Sequence, residues 1–200
     1  SGSDVLTLDN KGTLGGAMTL NGTVKFANSG FESWTEFDYI SKDLGESFLT
    51  NNSFTFVTTF DLQDITSGSN STRNWFSLLF SDENNLLTHY RIGVNLGTAS
   101  ISNNNTSTDF IQYVLGLHTL IISYDINTNT LILLNDNGVG TTFNSIVFND
   151  VSNSFIQLLS AEGYSGSNSG QNNPLHEFRL YDIAMSLTQM QNLQTELNNK

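Results

Sequence analysis

The sequence contains no cysteine and only one proline among its 200 residues. Without cysteine the chain cannot form disulfides, use a thiol nucleophile, or bind zinc or iron–sulfur clusters through thiolates. Its stability must therefore come from a packed core, which a chain of this length can build. We expect a single domain over residues 1–200, in which residues 1–3 (Ser-Gly-Ser) are typical of a cloning remnant.

Positive charge is also scarce. There are 7 Lys and Arg residues against 19 Asp and Glu, which gives a net charge of −12 at pH 7. Binding to nucleic acid or to an anionic lipid surface depends on clustered cations that replace counterions. The sequence also lacks the apolar run of about 20 residues that a bilayer-crossing helix needs. We therefore expect neither a nucleic-acid partner nor membrane insertion.

The polar surface must be built largely from uncharged groups. Asparagine alone accounts for 26 residues, and serine, threonine and glycine are abundant. Amide and hydroxyl groups suit a partner that is itself neutral and rich in hydroxyls, such as a glycan. The alternative is that asparagine and glycine simply occupy many turns, which their backbone preferences favour.

Alternation of apolar and polar residues with a period of two dominates the chain. Residues 53–62 (SFTFVTTFDL) are an example, since β-branched and aromatic side chains alternate there. The same pattern predicts further strands at 74–80, 89–96, 117–126, 130–135, 144–148, 154–160 and 175–181. Turn-rich segments separate these strands, which favours an antiparallel sandwich over βαβ units.

Two local signals are stronger than the rest. Asn127, Thr128 and Asn129 connect two apolar runs and predict a hairpin, because asparagine tolerates left-handed backbone geometry. Residues 186–198 predict the only helix, in which Ser186 and Gln189 have the spacing of a capping box.

Two segments carry a resemblance to a known family. Residues 116–140 (GLHTLIISYDINTNTLILLNDNGVG) and 174–193 (PLHEFRLYDIAMSLTQMQNL) resemble the hairpin and the closing strand of laminin-G-like, concanavalin-A-like jelly rolls. Residues 18–26 and 53–62 are similar to the opening strands of that family. The chain departs from the family at Leu117, where a tryptophan is usual, and in a long insert at 163–173. The resemblance implies an all-β fold: a two-sheet antiparallel β-sandwich with a short C-terminal helix.

Catalytic patterns are incomplete. The nearest match to the Glu-x-Asp-x-Glu strand of related glucanases is Glu36 to Ile40, in which isoleucine replaces the third carboxylate. The remaining candidate carboxyls, Glu83, Glu162 and Glu177, lie in separate segments, which leaves a pair formed in the folded chain as an alternative. Gly166 to Gly170 has the glycine spacing of a nucleophile elbow, but its central residue is Asn168. We therefore expect no enzyme activity.

Strand alternation predicts a polar stripe on one sheet. In 74–80 the phenylalanines mark the core side, which leaves Trp75 and Ser77 on the other side. The next strand presents His89, Arg91 and Asn95 opposite to its apolar residues. The predicted ligand-binding residues are Trp75, Ser77, His89, Arg91, Asn95, Gln112, Gln157, Glu162 and Tyr164. The alternative is that these are ordinary surface residues and that Trp75 is partly buried.

The resemblance also implies a bound calcium ion, because many members of the family hold one. Calcium takes several oxygen ligands, and backbone carbonyls often provide some of them. The candidate carboxylates are Asp61, Asp64, Asp82, Asp150 and Asp182. Each of these is equally suited to capping a turn, so the sequence alone does not assign the ligands.

Together these observations predict a non-catalytic carbohydrate-binding module. We expect it to belong to a larger chain or assembly, such as a secreted enzyme, an adhesin or a phage tail or baseplate, and to attach it to a cell-surface or cell-wall polysaccharide. Such a module would take part in host recognition or adhesion. We therefore expect it outside the cell, at a cell surface or on a virion. The alternatives are a laminin-G-like adhesion module that binds protein, and a glycoside hydrolase.

Overall fold

A computed structural model describes residues 7–21, 25–27, 30–33, 39–45, 48–62, 74–82, 85–95, 98–103, 106–112, 114–147, 154–158 and 171–199. Side-chain burial is described for residues 10–20, 40, 42–45, 48, 51–61, 114–147 and 175–199.

The described residues form fifteen strands and two helices. The strands are β1 (Thr7–Asp9), β2 (Ala17–Asn21), β3 (Lys25–Ala27), β4 (Gly30–Ser33), β5 (Tyr39–Gly45), β6 (Phe54–Leu62), β7 (Asn74–Asp82), β8 (Asn85–Asn95), β9 (Thr98–Asn103), β10 (Thr106–Gln112), β11 (Gly116–Asp125), β12 (Thr130–Leu134), β13 (Gly140–Phe143), β14 (Ser154–Leu158) and β15 (Gln171–Tyr181). The helices are α1 (Phe48–Asn51) and α2 (Leu187–Asn198).

The strands form two antiparallel sheets. The eight-stranded sheet has the order β1-β2-β5-β14-β7-β8-β9-β10, and the seven-stranded sheet has the order β13-β12-β11-β6-β15-β4-β3. Many neighbours in these sheets are distant in sequence, as in the pairing of β14 with β7 and of β6 with β15. The predicted fold class, an antiparallel β-sandwich with a short C-terminal helix, is confirmed.

The centre of the seven-stranded sheet is buried on both faces. On the inner face, Phe56 and Ile122 are paired across β6 and β11 and are fully buried. On the outer face, Val57 and Ile121 are the neighbouring pair, and they pack under Met190 of α2. Burial on both faces explains why the sequence of β11 is a nearly continuous apolar run.

The C-terminal helix begins as the sequence predicts. Ser186 is its N-cap and shares a capping box with Gln189, whose side-chain oxygen accepts a hydrogen bond from Ser186 N at 2.9 Å. Met190 is fully buried, and Gln194 donates to the backbone oxygen of Asn135 at 2.6 Å. These contacts fix the helix across the outer face of the seven-stranded sheet.

The predicted hairpin of β11 and β12 is also confirmed. Asn129 in its turn has a φ of 53°, the left-handed conformation that asparagine tolerates. The predicted strand at 144–148 is wrong within the residues that the structure describes. The strand in this region is β13, and it ends at Phe143.

The chain bends after β13 because two groups there bond to the β11–β12 hairpin instead of a sheet neighbour. Ile146 N donates to the oxygen of Asn129 at 2.9 Å, and Ile146 O accepts from the Tyr124 hydroxyl at 3.2 Å. Ser145 has a φ of 60°, which is incompatible with an extended strand. The apolar Ile146 therefore covers the hairpin end and does not extend a sheet.

The loop between β1 and β2 is fixed against β15. Asn10 Oδ1 accepts hydrogen bonds from the backbone nitrogens of Leu180 at 2.8 Å and Gly12 at 2.9 Å. Leu14 N donates to Leu180 O at 3.1 Å. The loop approaches so closely that a Cβ on Gly12 would lie 2.1 Å from Leu180 O. Neither helix of the described residues has the length and apolarity needed to cross a bilayer.

Candidate functional site

The eight-stranded sheet carries several of the predicted binding residues in one row. The backbone register pairs Gln157 with Leu79, and Leu79 with Arg91. On its other side, Gln157 pairs with Ser41 of β5. Directly paired residues in an antiparallel sheet lie on the same face, so these four positions share one face.

This face is opposite to the sandwich core. Ile40, the residue before Ser41, is fully buried and pairs with Leu158, the residue after Gln157. Because successive residues of a strand alternate between faces, the row that contains Gln157 and Arg91 lies on the side away from Ile40.

Neighbouring rows hold the other predicted residues of this sheet. Ser77 pairs with Gly93, and Asn95 pairs with both Asn74 and Thr98. Thr98 in turn pairs with Gln112 of β10. The register therefore places Asn95 and Gln112 in a common row.

The backbone register gives no direct cross-strand partner for Trp75 or His89 in the pairing of β7 with β8. Trp75 falls at an irregularity of the β7–β8 register between Asn74 and Phe76, so strand alternation alone does not determine its face. His89 lies in β8, two residues before Arg91. The side chains of all these residues are outside the described set, and Glu162 and Tyr164 lie outside the described residues altogether. Their role in ligand binding stays a prediction.

The sequence pattern did not single out the interaction of His118 with Asp136. His118 is 6% exposed and lies on the inner face of β11, where its ring is 5.6 Å from that of Phe60. Its Nδ1 bonds to Asp136 Oδ2, and its Nε2 is 2.6 Å from Val114 O. The other carboxylate oxygen of Asp136 accepts from Thr119 N at 2.6 Å.

These partners determine the charge of the ring. A carbonyl and a carboxylate can only accept, so both ring nitrogens of His118 must donate, and that requires the imidazolium form. Burial would lower the pKa of His118. The hydrogen bonds to Asp136 and Val114, and the negative charges of Asp136 and Asp61, outweigh that effect and raise the pKa above its ordinary value. His118 therefore links the turn after β12, through Asp136, to the segment that precedes β11, through Val114.

Glu177, one of the candidate catalytic carboxyls, belongs to a charged cluster on β15. It accepts a hydrogen bond from Arg179 Nε at 2.6 Å, and Lys11 Nζ is 3.9 Å away. Arg179 is 7% exposed and also reaches Glu196 of α2 at 3.4 Å. Burial alone would lower the pKa of Arg179, but its bonds to Tyr181 and Glu177 raise it. Arg179 therefore joins β15 to the helix, and Glu177 pairs with Arg179 and lies near Lys11 of the β1–β2 loop.

The part of the chain that the structure describes does not identify ligands for the predicted calcium ion. No group of three or more His, Asp or Glu side chains there could hold a metal ion. Asp182, one of the candidates, instead accepts from the Thr13 hydroxyl at 2.6 Å. Asp64 and Asp150 lie outside the described residues, and the side chain of Asp82 is outside the described set. Neither Asp61 nor Asp182 belongs to such a group within the described residues, and the calcium ion stays a prediction.

Comparison by sequence finds no relative of this chain. No protein-family model matches it, and no curated protein matches it. The fold, however, is similar to that of many solved structures.

One such structure is the binding domain of botulinum neurotoxin serotype D, with a TM-score of 0.64, 11% identity, and coverage of 96% of this chain and 51% of that one. Another is a point mutant of the carbohydrate recognition domain of Emp46p, with a TM-score of 0.57, 16% identity, and coverage of 84% and 89%. A third is the Trypanosoma rangeli sialidase in complex with sialic acid, with a TM-score of 0.63, 9% identity, and coverage of 91% and 30%.

The chain thus spans about half the length of the neurotoxin binding domain and most of the Emp46p domain. At identities of 9–16% the likeness concerns the fold and not the binding residues. The chain therefore shares its fold with these structures.

Proposed function

We propose that this chain is a non-catalytic carbohydrate-binding module. The observation that carries the proposal is its similarity over 84% of its length to the carbohydrate recognition domain of Emp46p, a structure that it covers to 89%. Neurotoxin and sialidase structures with the same sandwich are also described with SialylT or sialic acid bound. One fold can host many functions, so the chemistry of the predicted binding face matters as well.

The predicted binding face has chemistry that suits a glycan. Gln157, Arg91 and Ser77 combine neutral hydrogen-bonding groups with one planar cation, which can contact two hydroxyls or a carboxylate at once. Gln157 and Arg91 are two strands apart in the sheet, or about 10 Å. That distance matches one or two sugar rings. Trp75 would add stacking on the apolar side of a ring.

The proposal includes a role in attachment. A single shallow face binds weakly, but copies repeated in an assembly gain strength through avidity. We therefore propose that the module anchors a secreted enzyme, an adhesin or a phage tail component to polysaccharide, outside the cell or on a virion. The calcium prediction is retained only as a part of this proposal that chelation can test.

The test is binding of the full chain to a broad panel of glycans and bacterial cell-wall polysaccharides, with and without a calcium chelator. Trp75→Ala and Arg91→Ala should each weaken binding at least about tenfold, because they remove the stacking surface and the bidentate donor. Lys11→Ala is the matched control, since Lys11 is a cation with 62% of its side chain exposed outside the predicted face.

The outcomes separate the parts of the proposal. Absence of saturable binding to any glycan would refute the function. Unchanged binding by both face variants would refute the site while leaving the function in place. Release of reducing sugars from a bound polysaccharide would show a hydrolase, and binding that survives chelation would remove calcium from the proposal.

One observation favours the protein-binding alternative. Val114, Leu115 and Leu117 are 67%, 55% and 68% exposed at the entry to β11. Exposed aliphatic side chains that lie close together are typical of protein-binding surfaces. A laminin-G-like adhesion module would use this segment. Substitution of all three by serine would then abolish capture of a protein partner and leave glycan binding unchanged.

A further inference from the structure

A cleft of about 280 Å³ lies on the outer face of the seven-stranded sheet, next to the start of α2. One wall is the β11–β12 hairpin, which contributes the cross-strand pair Asp125 and Thr130. The other wall is the segment that leads into α2, including Met185 and Gln189. A space of this size can accommodate a small ring.

Asp125 gives this cleft a fixed hydrogen-bond acceptor. Its Oδ1 accepts from Asn127 N at 2.9 Å, from Asn127 Nδ2 at 3.1 Å and from Ser53 Oγ at 3.4 Å. The backbone hydrogen bond from Asn127 is the main cause that lowers the pKa of Asp125, so the group is ionised at neutral pH. These three bonds end on Oδ1, and a hydrogen bond from the Thr128 side chain also helps to lower the pKa of Asp125. A carboxylate has about four acceptor sites on its two oxygens, so Asp125 can still accept from a ligand.

Gln189 gives the opposite wall a fixed donor. Its Oε1 accepts from both the nitrogen and the hydroxyl of Ser186, each at 2.9 Å. Because the amide is planar, these two bonds also set the direction of the Nε2 group. Nε2 itself has no acceptor among the described residues. The capping box occupies the start of α2, where Gln189 N donates to Ser186 Oγ at 3.4 Å.

Part of the cleft lining is apolar, and the Ser123 hydroxyl in it already accepts a hydrogen bond. Ser123 is 2% exposed, and its hydroxyl accepts from Met185 N at 2.8 Å. Ile132 and Met185 supply aliphatic surface beside it. An ionised acceptor, an oriented donor and aliphatic side chains therefore line one small space. The Thr130 hydroxyl also lines it and shares a hydrogen bond with the Thr128 hydroxyl at 2.7 Å.

We propose that this cleft binds one neutral sugar ring. Adjacent hydroxyls of a ring can donate to Asp125 and accept from Gln189, while the C–H side of the ring packs on Ile132 and Met185. The residues lining the cleft include no cation, and Asp125 repels anions, so a sialic acid or a phosphate is disfavoured. The site lies on the other sheet from the row that contains Arg91, and it does not depend on binding there.

The experiment is a titration of the ¹⁵N-labelled full chain with methyl α-mannoside, methyl β-glucoside and methyl β-galactoside, followed through the amide resonances. A methyl sialoside is the anionic probe. Gln189→Glu keeps an acceptor for the capping box but removes the donor. Asn192→Asp is the matched control, because Asn192 is exposed on the same helix, does not line the cleft and undergoes the same charge change.

We expect at least one neutral glycoside to shift the amide resonances of Ser123, Thr130 and Gln189. Gln189→Glu should weaken that binding about tenfold, whereas Asn192→Asp should leave it within about twofold. Thr130→Val should weaken it to a smaller extent.

Three results would overturn the proposal. They are no shift of the cleft resonances by any neutral glycoside, equal affinities for Gln189→Glu and Asn192→Asp, and tighter binding of the sialoside than of the neutral probes. Shifts confined to β7 and β8 would also overturn it while supporting the proposed function. Shifts confined to the cleft would support this site and would contradict the predicted binding face on the eight-stranded sheet.

Discussion

Replacement of Asp136 by asparagine should remove a charge while preserving the hydrogen bonds around His118. Asparagine Oδ1 can still accept from Thr119 N, which now bonds Asp136 at 2.6 Å. Its Nδ2 can donate to His118 Nδ1 if the ring becomes neutral and keeps its proton on Nε2, which faces Val114 O at 2.6 Å. Asp136→Asn therefore tests the imidazolium form itself and leaves the packing nearly unchanged.

The sign of the pH effect follows from the raised pKa of His118. The pair stabilises the native state fully at pH values below the unfolded histidine pKa of about 6.5, and this contribution is lost as the pH rises through the folded pKa. Over that window the wild-type free energy of unfolding should fall by at most about 1.4 kcal/mol per pH unit relative to the variant. The difference between the two proteins should therefore be larger near pH 6 than at pH values above the folded pKa of His118.

The assay is urea denaturation of both proteins across this pH range, with the His118 ring followed by NMR. His118 should titrate above its ordinary value in the wild type and below the wild-type value in Asp136→Asn. Subtraction of the two stability curves cancels the contributions of His89 and His176. A stability difference that does not change with pH would refute the argument, as would a wild-type His118 that titrates below its ordinary value.

Two further substitutions test the packing that holds the sandwich together, each by the urea midpoint. Gly12→Ala should lower the free energy of unfolding by about 3 kcal/mol, because its Cβ would lie 2.1 Å from Leu180 O. Gly15→Ala has open space around its Cβ but a φ of 72°, so it should lower the free energy of unfolding by only about 1–2 kcal/mol. Equal losses would contradict the steric explanation. Met190→Ala should cost about 2–5 kcal/mol, because Met190 is fully buried against the sheet. Asn192→Ala on the same helix should change stability by under about 0.5 kcal/mol, and a similarly small loss in Met190→Ala would show that the helix is not a structural cover.

The central strands of the seven-stranded sheet could be predicted from local patterns. The strands at 53–62, 117–126 and 130–135 correspond to β6, β11 and β12 within one residue at most ends. They were predictable because apolar runs, the Asn127–Asn129 turn and the capping box all act over a few residues. Local patterns predict a strand best when the turns and caps that position it lie close to it in sequence.

The error at 144–148 shows where local patterns fail. Ile146 is buried, as an alternating strand would require. It is buried because the Tyr124 hydroxyl and the Asn129 oxygen hold its backbone at the hairpin end. Period-two alternation reports burial, but it cannot distinguish a strand from a loop that covers a sheet edge.

The candidate site was only partly accessible from the sequence. Alternation predicts that Arg91 and Ser77 share a face, but Trp75 falls at a register irregularity that the sequence does not mark. The His118–Asp136 pair has a weak signal, a histidine early in a strand and an Asn-Asp-Asn-Gly turn 18 residues later. The cleft has none, because Asp125 and Gln189 are 64 positions apart and meet only through the packing of α2.

The position of α2 also limits where each kind of ligand can bind. Among the described residues, the helix already covers the row of Val57, Ile121 and Leu134 on the outer face of the seven-stranded sheet. Beside the start of the helix, that face has a short space over Ser123 and Ile132. An extended polysaccharide needs a longer surface, and the proposed face on the eight-stranded sheet would provide one. Two proposed sites of different length would then bind a terminal sugar and an extended polysaccharide separately. The Gln189 variant should weaken binding of the terminal sugar, and the Arg91 variant should weaken binding of the polysaccharide.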